Sequence, residues 1–253
     1  MIFFHTLIIF TIYSFALVPI KLFNIEIKQS GIKEFISPSM LPQGKLLINS
    51  RKSSYVQHSP VDSTAQRFLL IGDSMLEGLG YRLNDYCKKN GHKMNSVIWY
   101  SSSTLWYGSC DTIAYFIKKF DPTYIVLVIG SNELFIRDII RNRDKFVKNI
   151  LRQMGDKKFI WVGPPNWKKD SGINDLIARN TGEKKYFPSK NLTFNRNSDG
   201  AHPTRQSASM WMDSIASFIM KKSMYPVILN YPDEAAKKSP PTTLLGPKPP
   251  KGI

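Results

Sequence analysis

A chain of 253 residues with 42% apolar side chains is long enough for one substantial globular core with extensions, and its ordinary composition excludes a fibrous or wholly disordered protein. Its charge is unusual: 35 basic against 19 acidic residues give a formal net charge of +16, with the lysines scattered in pairs such as Lys88-Lys89, Lys157-Lys158 and Lys221-Lys222. No zinc-finger, RNA-recognition or helix-turn-helix pattern accompanies them, so they read as solvated loops and helix ends or as weak attraction to an anionic envelope or polysaccharide, and nucleic acid is not an expected partner.

Residues Ile2 to Ile20 carry no formally charged side chain, close to the ~20 apolar residues that a bilayer span needs. Two readings stay open for residues 1–22. One is an uncleaved membrane anchor; the other is a signal peptide in which Ser14 and Ala16 resemble a cleavage site. Lys21, Lys28 and Lys33 follow the apolar run, which by the positive-inside rule would keep the C-terminal side in the cytoplasm. Residues 23–66 lack periodicity and read as a linker or wrapped extension, although Ile32, Phe35, Ile36, Leu46, Leu47 and Ile48 argue against full disorder.

From Arg67 apolar runs alternate with helical spacing. The pattern predicts strands at Phe68–Ile71, Ser96–Tyr100, Tyr124–Ile129 and Phe159–Val162, with a weak one at Lys184–Phe187. Helices are expected near 75–89, 110–120, 137–154, 171–179 and 204–220. Apolar strands alternating with helices imply an α/β fold: a three-layer α/β/α, flavodoxin-like parallel sheet with helices on both faces, over residues 67–225. Such sheets bind ligands beyond the C-terminal ends of their strands. Residues 226–253 alternate prolines with lysines and read as a disordered tail. Cys87 and Cys110 could form one disulfide or stay free. No cofactor motif or metal-ligand spacing occurs, and none is expected.

Each expected strand ends in polar residues: Gly72-Asp73-Ser74, Ser101-Ser102-Ser103-Thr104, Gly130-Ser131-Asn132-Glu133, Gly163-Pro-Pro-Asn-Trp167. Asp199-Gly200-Ala201-His202 then precedes the last helix. A serine at a strand-to-helix turn lies beside free amides that suit an oxyanion. A histidine three residues after an aspartate can act as its base while the aspartate fixes the tautomer. Asn132 can donate its amide to a developing oxyanion. Taken singly each has a plainer explanation: Asp73 or Ser74 as a helix cap, Asp199-Gly200 as a turn, Asn132 as a turn residue.

Together and in this order, the blocks resemble the SGNH/GDSL hydrolase superfamily over roughly residues 67–222. The resemblance implies Ser74 as nucleophile, His202 as general base and Asp199 as its partner, with no metal. It implies an oxyanion hole from the Ser74 amide, the Asn132 side chain and a backbone amide of block two. That block lacks its usual glycine, leaving Ser103 or Thr104 as the donor, and Glu133 stands where an aspartate is usual. The variant blocks look most like an envelope-associated branch. The implied activity is that of a serine esterase removing small acyl groups, such as O-acetyl esters on an envelope glycan. An O-acyltransferase with the same triad and a non-catalytic glycan-binding protein are the alternatives. Export to the cell envelope, with a membrane contact through the N-terminal segment, follows from the same resemblance.

Overall fold

The strand nearest the chemistry alternates its side chains between two cores, and that alternation defines the layers. In the computed structural model, which describes residues 20–22, 25–27, 60–236 and 238–252, β3 (Arg67–Gly72) sends Phe68 and Leu70 to one face and Leu69 and Ile71 to the other, all buried. The region up to Val56 is a separate unit, in which β1 (Ile20–Leu22) pairs antiparallel with β2 (Ile25–Ile27). Residues 1–19 of the expected signal or anchor segment and most of the 23–66 extension lie outside the described residues. No described helix is long and apolar enough to cross a membrane.

Beside β3 run β4 (Lys93–Trp99), β5 (Tyr124–Val128), β6 (Lys158–Val162), β7 (Tyr186–Phe187) and β8 (Thr242–Leu245). All pair in parallel, in the order β7-β6-β5-β3-β4-β8. On one face pack α1 (Glu77–Lys89) and α6 (Arg205–Lys221), through Leu79, Leu83, Trp211, Met212 and Ile215. On the other pack α3 (Thr112–Phe120), α4 (Ile139–Met154) and α5 (Ile173–Thr181), through Ile113, Phe116, Val147, Ile150 and Ile177. Each such aliphatic or aromatic side chain contributes about 1.5–3 kcal/mol of burial. The expected three-layer flavodoxin-like fold is the observed one. After β3 the chain steps first to β4 on one side and then to β5 on the other, and sheets of this kind bind ligands beyond the strand ends where that order reverses.

Several boundaries differ from the periodic pattern. The helix expected at 75 opens with a 3-10 turn, Ser74–Leu76, and a short helix α2 (Thr104–Gly108) stands where a loop was expected, capped by Ser103. Cys87 and Cys110 sit in cores on opposite faces of the sheet, and both thiols are free; burial pushes the Cys87 thiol up to about 12.

The larger correction concerns both ends of the domain. It begins before Arg67 and does not stop at Tyr225: Asp62 bridges Val227, and His92 joins the same seam by accepting the Gln66 amide at Nδ1 and donating from Nε2 to Ile228 O. Val227 and Leu229 are buried. Further on, Thr242–Leu245 adds β8 to the sheet, and Trp99 Nε1 donates to Gly246 O and Lys248 O at 3.0 and 3.2 Å. The prolines fall before and after the strand rather than within it, which is where an edge strand tolerates them. Truncation after Ala236 should therefore lower the urea-unfolding free energy by about 1–3 kcal/mol. An unchanged midpoint would mean the tail is not part of the folded sheet.

Candidate active site

The turn after β3 is set by a close approach that only glycine permits. A Cβ on Gly72 would stand 1.8 Å from Val128 O, and the next amide, Asp73 N–H, donates to that same oxygen at 2.9 Å. Asp73 is fully buried; its Oδ1 accepts the Met75 amide at 3.0 Å and its Oδ2 the Ser131 amide at 3.3 Å. Desolvation raises its pKa to about 7 against the pull of these backbone donors. Asp73, not Ser74, thus caps the 3-10 turn. The serine is left free, half-buried at the sheet edge, and its amide has no acceptor among the described residues.

Ser74 Oγ lies 2.8 Å from His202 Nε2, and His202 Nδ1 lies 2.7 Å from Asp199 Oδ2. The loop carrying both partners is fastened from several sides. Asn197 N–H donates to His202 O, Arg196 and Pro203 form an antiparallel bridge, and Thr204 caps α6 through the Ser207 amide. The Arg196 guanidinium donates to Ala201 O within the loop and to Pro165 O and Asn166 O beyond β6, at 3.2 and 3.0 Å. Asp199 Oδ1 accepts the Ala201 and His202 amides at 2.8 and 3.0 Å. The Ala201 amide first, and then the His202 ring, hold the Asp199 carboxyl down at about 2. A carboxylate beside Nδ1 keeps the proton there, so Nε2 is the lone-pair end that accepts from Ser74.

Asn132 follows β5 in a 3-10 turn, Ser131–Glu133, that starts from Gly130 at φ 127°. Its Nδ2 donates to Ser102 O at 2.8 Å, which uses one amide hydrogen, orients the group and leaves the second hydrogen free. The next residue does different work. Buried Glu133 accepts the Thr104 amide at Oε2 and the Thr104 hydroxyl at Oε1, both at 2.8 Å, and pairs with Arg143 Nε at 2.5 Å. Of the two amides expected as the block-two donor, Thr104 is therefore excluded, because its hydrogen is already held by Glu133. The Ser103 hydroxyl caps α2 at the Trp106 amide, and its own N–H has no acceptor among the described residues. The left-handed backbone that a glycine adopts readily falls on Ser101, at φ 61°.

Ser74, Asp199 and His202 border an open cleft of about 510 Å³ with Glu77, Tyr81 and Ser101. The side chains of His202 and Asp199 are 36% and 49% exposed, so water reaches the pair directly. The sequence pattern did not single out Tyr81, Tyr100, Arg143 or Arg196. Arg196 stands three residues before Asp199, and Arg143 stands ten after Glu133 on a helix, so neither shares a local motif with the group it holds. Among the described residues no cluster of His, Cys, Asp and Glu is placed to hold a metal.

No protein-family model matches the chain, and no curated protein matches it. Among solved structures it is similar to a psychrotrophic esterase, EstA, from Pseudoalteromonas sp., at 12% identity and a TM-score of 0.45, over 61% of this chain and 97% of that one. It is also similar to a family 3 carbohydrate esterase of Clostridium thermocellum, at 17% identity and a TM-score of 0.43, over 61% and 94% of the two chains. A third is a two-domain esterase active on acetylated mannans, at 14% identity and a TM-score of 0.48, over 68% of this chain and 52% of that one.

Asp73 makes stability depend on pH. Folded, it keeps its proton up to about 7; its ordinary value is 3.8. Between these values the folded state binds more protons, so the contribution is full below the lower value and is lost as pH rises through the upper one. Across pH 4 to 8 the urea-unfolding free energy of the wild type should fall relative to that of Asp73→Asn, on the order of a few kcal/mol. Parallel curves would place the Asp73 charge elsewhere.

Proposed function

We propose that this chain is a serine esterase of the SGNH/GDSL type that cleaves a small acyl ester through an acyl-enzyme, its substrate being O-acetyl groups on a cell-envelope glycan. The observation that carries the reading is the unbroken relay from Ser74 through His202 to Asp199, at 2.8 and 2.7 Å, on the rim of an open cleft. In the first step Ser74 Oγ bonds to the ester carbonyl while its proton passes to His202 Nε2. Asp199, charged throughout the neutral range, stabilises the imidazolium. The Ser74 amide and the free hydrogen of Asn132 receive the oxyanion, with the Ser103 amide as the block-two donor. His202 then returns the proton to the leaving alcohol, and a water activated by the same nitrogen releases the acid.

The exposure of the triad favours hydrolysis over transfer to a sugar hydroxyl, since the relay is not shielded from water. The intact relay speaks against a purely binding role. The reading includes export to the envelope, which the resemblance to envelope-associated SGNH/GDSL members supports, with Ile2–Ile20 read as a signal peptide; protection of the catalytic domain from external protease in intact spheroplasts would argue against it.

Acetate release from p-nitrophenyl acetate should fall by a factor of about 10⁶ in Ser74→Ala and His202→Ala, and by about 10⁴ in Asp199→Asn. Asn132→Ala should lower kcat by about 10²–10³. Equal rates for wild type and Ser74→Ala, in protein shown to be folded, would remove the esterase reading.

A further inference from the structure

The cleft beside Ser74 continues past the triad. Glu77, Tyr81 and Tyr100, which line it, also line a second hollow of about 320 Å³. The rest of that hollow is built from Ser96 and Ile98 of β4 and from Ser239, Pro240, Thr242 and Leu244 of the C-terminal segment. The two hollows are neighbours that share three lining side chains, and each is within the ~300–1,000 Å³ range of ligand sites.

We propose that this extension is a sugar-binding subsite. The acyl group would sit on an oligosaccharide or polysaccharide chain that runs from Ser74 across Tyr81 and Tyr100 to β8. The proposal rests on the esterase reading only for which end of the groove holds the ester.

The chemistry of the wall favours a sugar over an acyl chain. Tyr81 is 42% exposed on α1, and the Arg205 guanidinium lies over its ring at 4.9 Å. Tyr100, half-buried at the end of β4, adds a second phenol. Between and beyond them stand the Glu77 carboxylate and the hydroxyls of Ser239 and Thr242. An alkyl chain would strip water from these polar groups and return no hydrogen bond. A pyranose has apolar C–H faces for the rings and for Pro240 and Leu244, and hydroxyls for the polar groups between them. The far wall exists only because residues 239–245 fold onto β4, so the C-terminal segment becomes a specificity element of the site. The open rim and exposed triad suit a polymer that enters and leaves sideways.

The test compares acetate release from chemically O-acetylated glucose, mannose and xylose with release from their O-acetylated tetrasaccharides, alongside p-nitrophenyl acetate, using the full chain. In at least one sugar series kcat/KM per acetyl group should rise about tenfold or more from monosaccharide to tetrasaccharide. That ratio should fall towards one in Tyr81→Ala and in Thr242→Trp, which fills the hollow. A ratio near one in every series, with p-nitrophenyl acetate still turned over, overturns the subsite and leaves the esterase reading standing. If no ester is cleaved, calorimetry with the unacetylated tetrasaccharides decides: binding that Tyr81→Ala abolishes sustains the subsite, and no binding to any of them overturns it.

Discussion

The active edge depends on how closely β3 passes β5. With no side chain at Gly72, the Asp73 amide reaches Val128 O, and the Asp73 carboxylate can bridge the amides of Met75 and Ser131. One buried side chain therefore ties the turn that carries Ser74 to the turn that carries Asn132. In the proposed mechanism the two turns must keep their separation for the Ser74 and Asn132 amides to serve one oxyanion. Burying a carboxylate is expensive unless its lone pairs are met. Here backbone donors meet them in part, and the raised pKa records the remainder.

A second buried carboxylate extends that frame. Glu133 holds the Thr104 amide and hydroxyl, while Asn132, its neighbour, holds Ser102 O. The Ser101–Thr104 loop is thus clamped on either side of Ser103 by the neighbouring side chains Asn132 and Glu133, and Arg143 from α4 neutralises the carboxylate. In such a clamp the loop need not be shaped by a glycine of its own. The conformation is imposed from outside, and the left-handed backbone falls on Ser101. A non-glycine residue there is held against roughly 1–2 kcal/mol of backbone strain. The extra methylene of Glu133 over an aspartate lies in this clamp, not at the reacting atoms.

How much of this could be read from the sequence divides along a physical line. Strands β3, β5 and β6 are continuous apolar runs, fully covered on both faces, and their periodicity announces them. Ser74, Asp199 and His202 are legible because each lies in a short local block whose spacing has chemical meaning. Thr104 was a reasonable oxyanion donor by position, but its amide is taken by a side chain 29 residues away, and no local pattern encodes that. The tail misled for a related reason. Proline and lysine dominate its composition, yet Val227, Leu229 and the stretch Thr242–Leu245 are spaced so that the prolines fall between the buried or paired residues. Composition averages over that spacing, whereas the fold depends on it. Tyr81 and Tyr100 went unnoticed because an isolated tyrosine on a helix or at a strand end looks like ordinary surface.

The burial of the polar groups follows their roles. Those that fix geometry, Asp73 and Glu133, lie in the interior, where their hydrogen bonds are not exchanged with water and the positions they hold vary little. Those of the relay sit at the surface: His202, which takes up and returns the proton in the proposed mechanism, has its imidazolium open to solvent, and the loop's own amides already hold Asp199 charged. An acid–base pair buried as deeply as Asp73 would carry the same desolvation that lifts Asp73 to about 7, and Asp199 would then compete with the histidine for the proton. A rigid, dry frame behind a wet relay avoids that competition. It also leaves the rim of the cleft open, and the proposed sugar chain would lie across that rim towards β8.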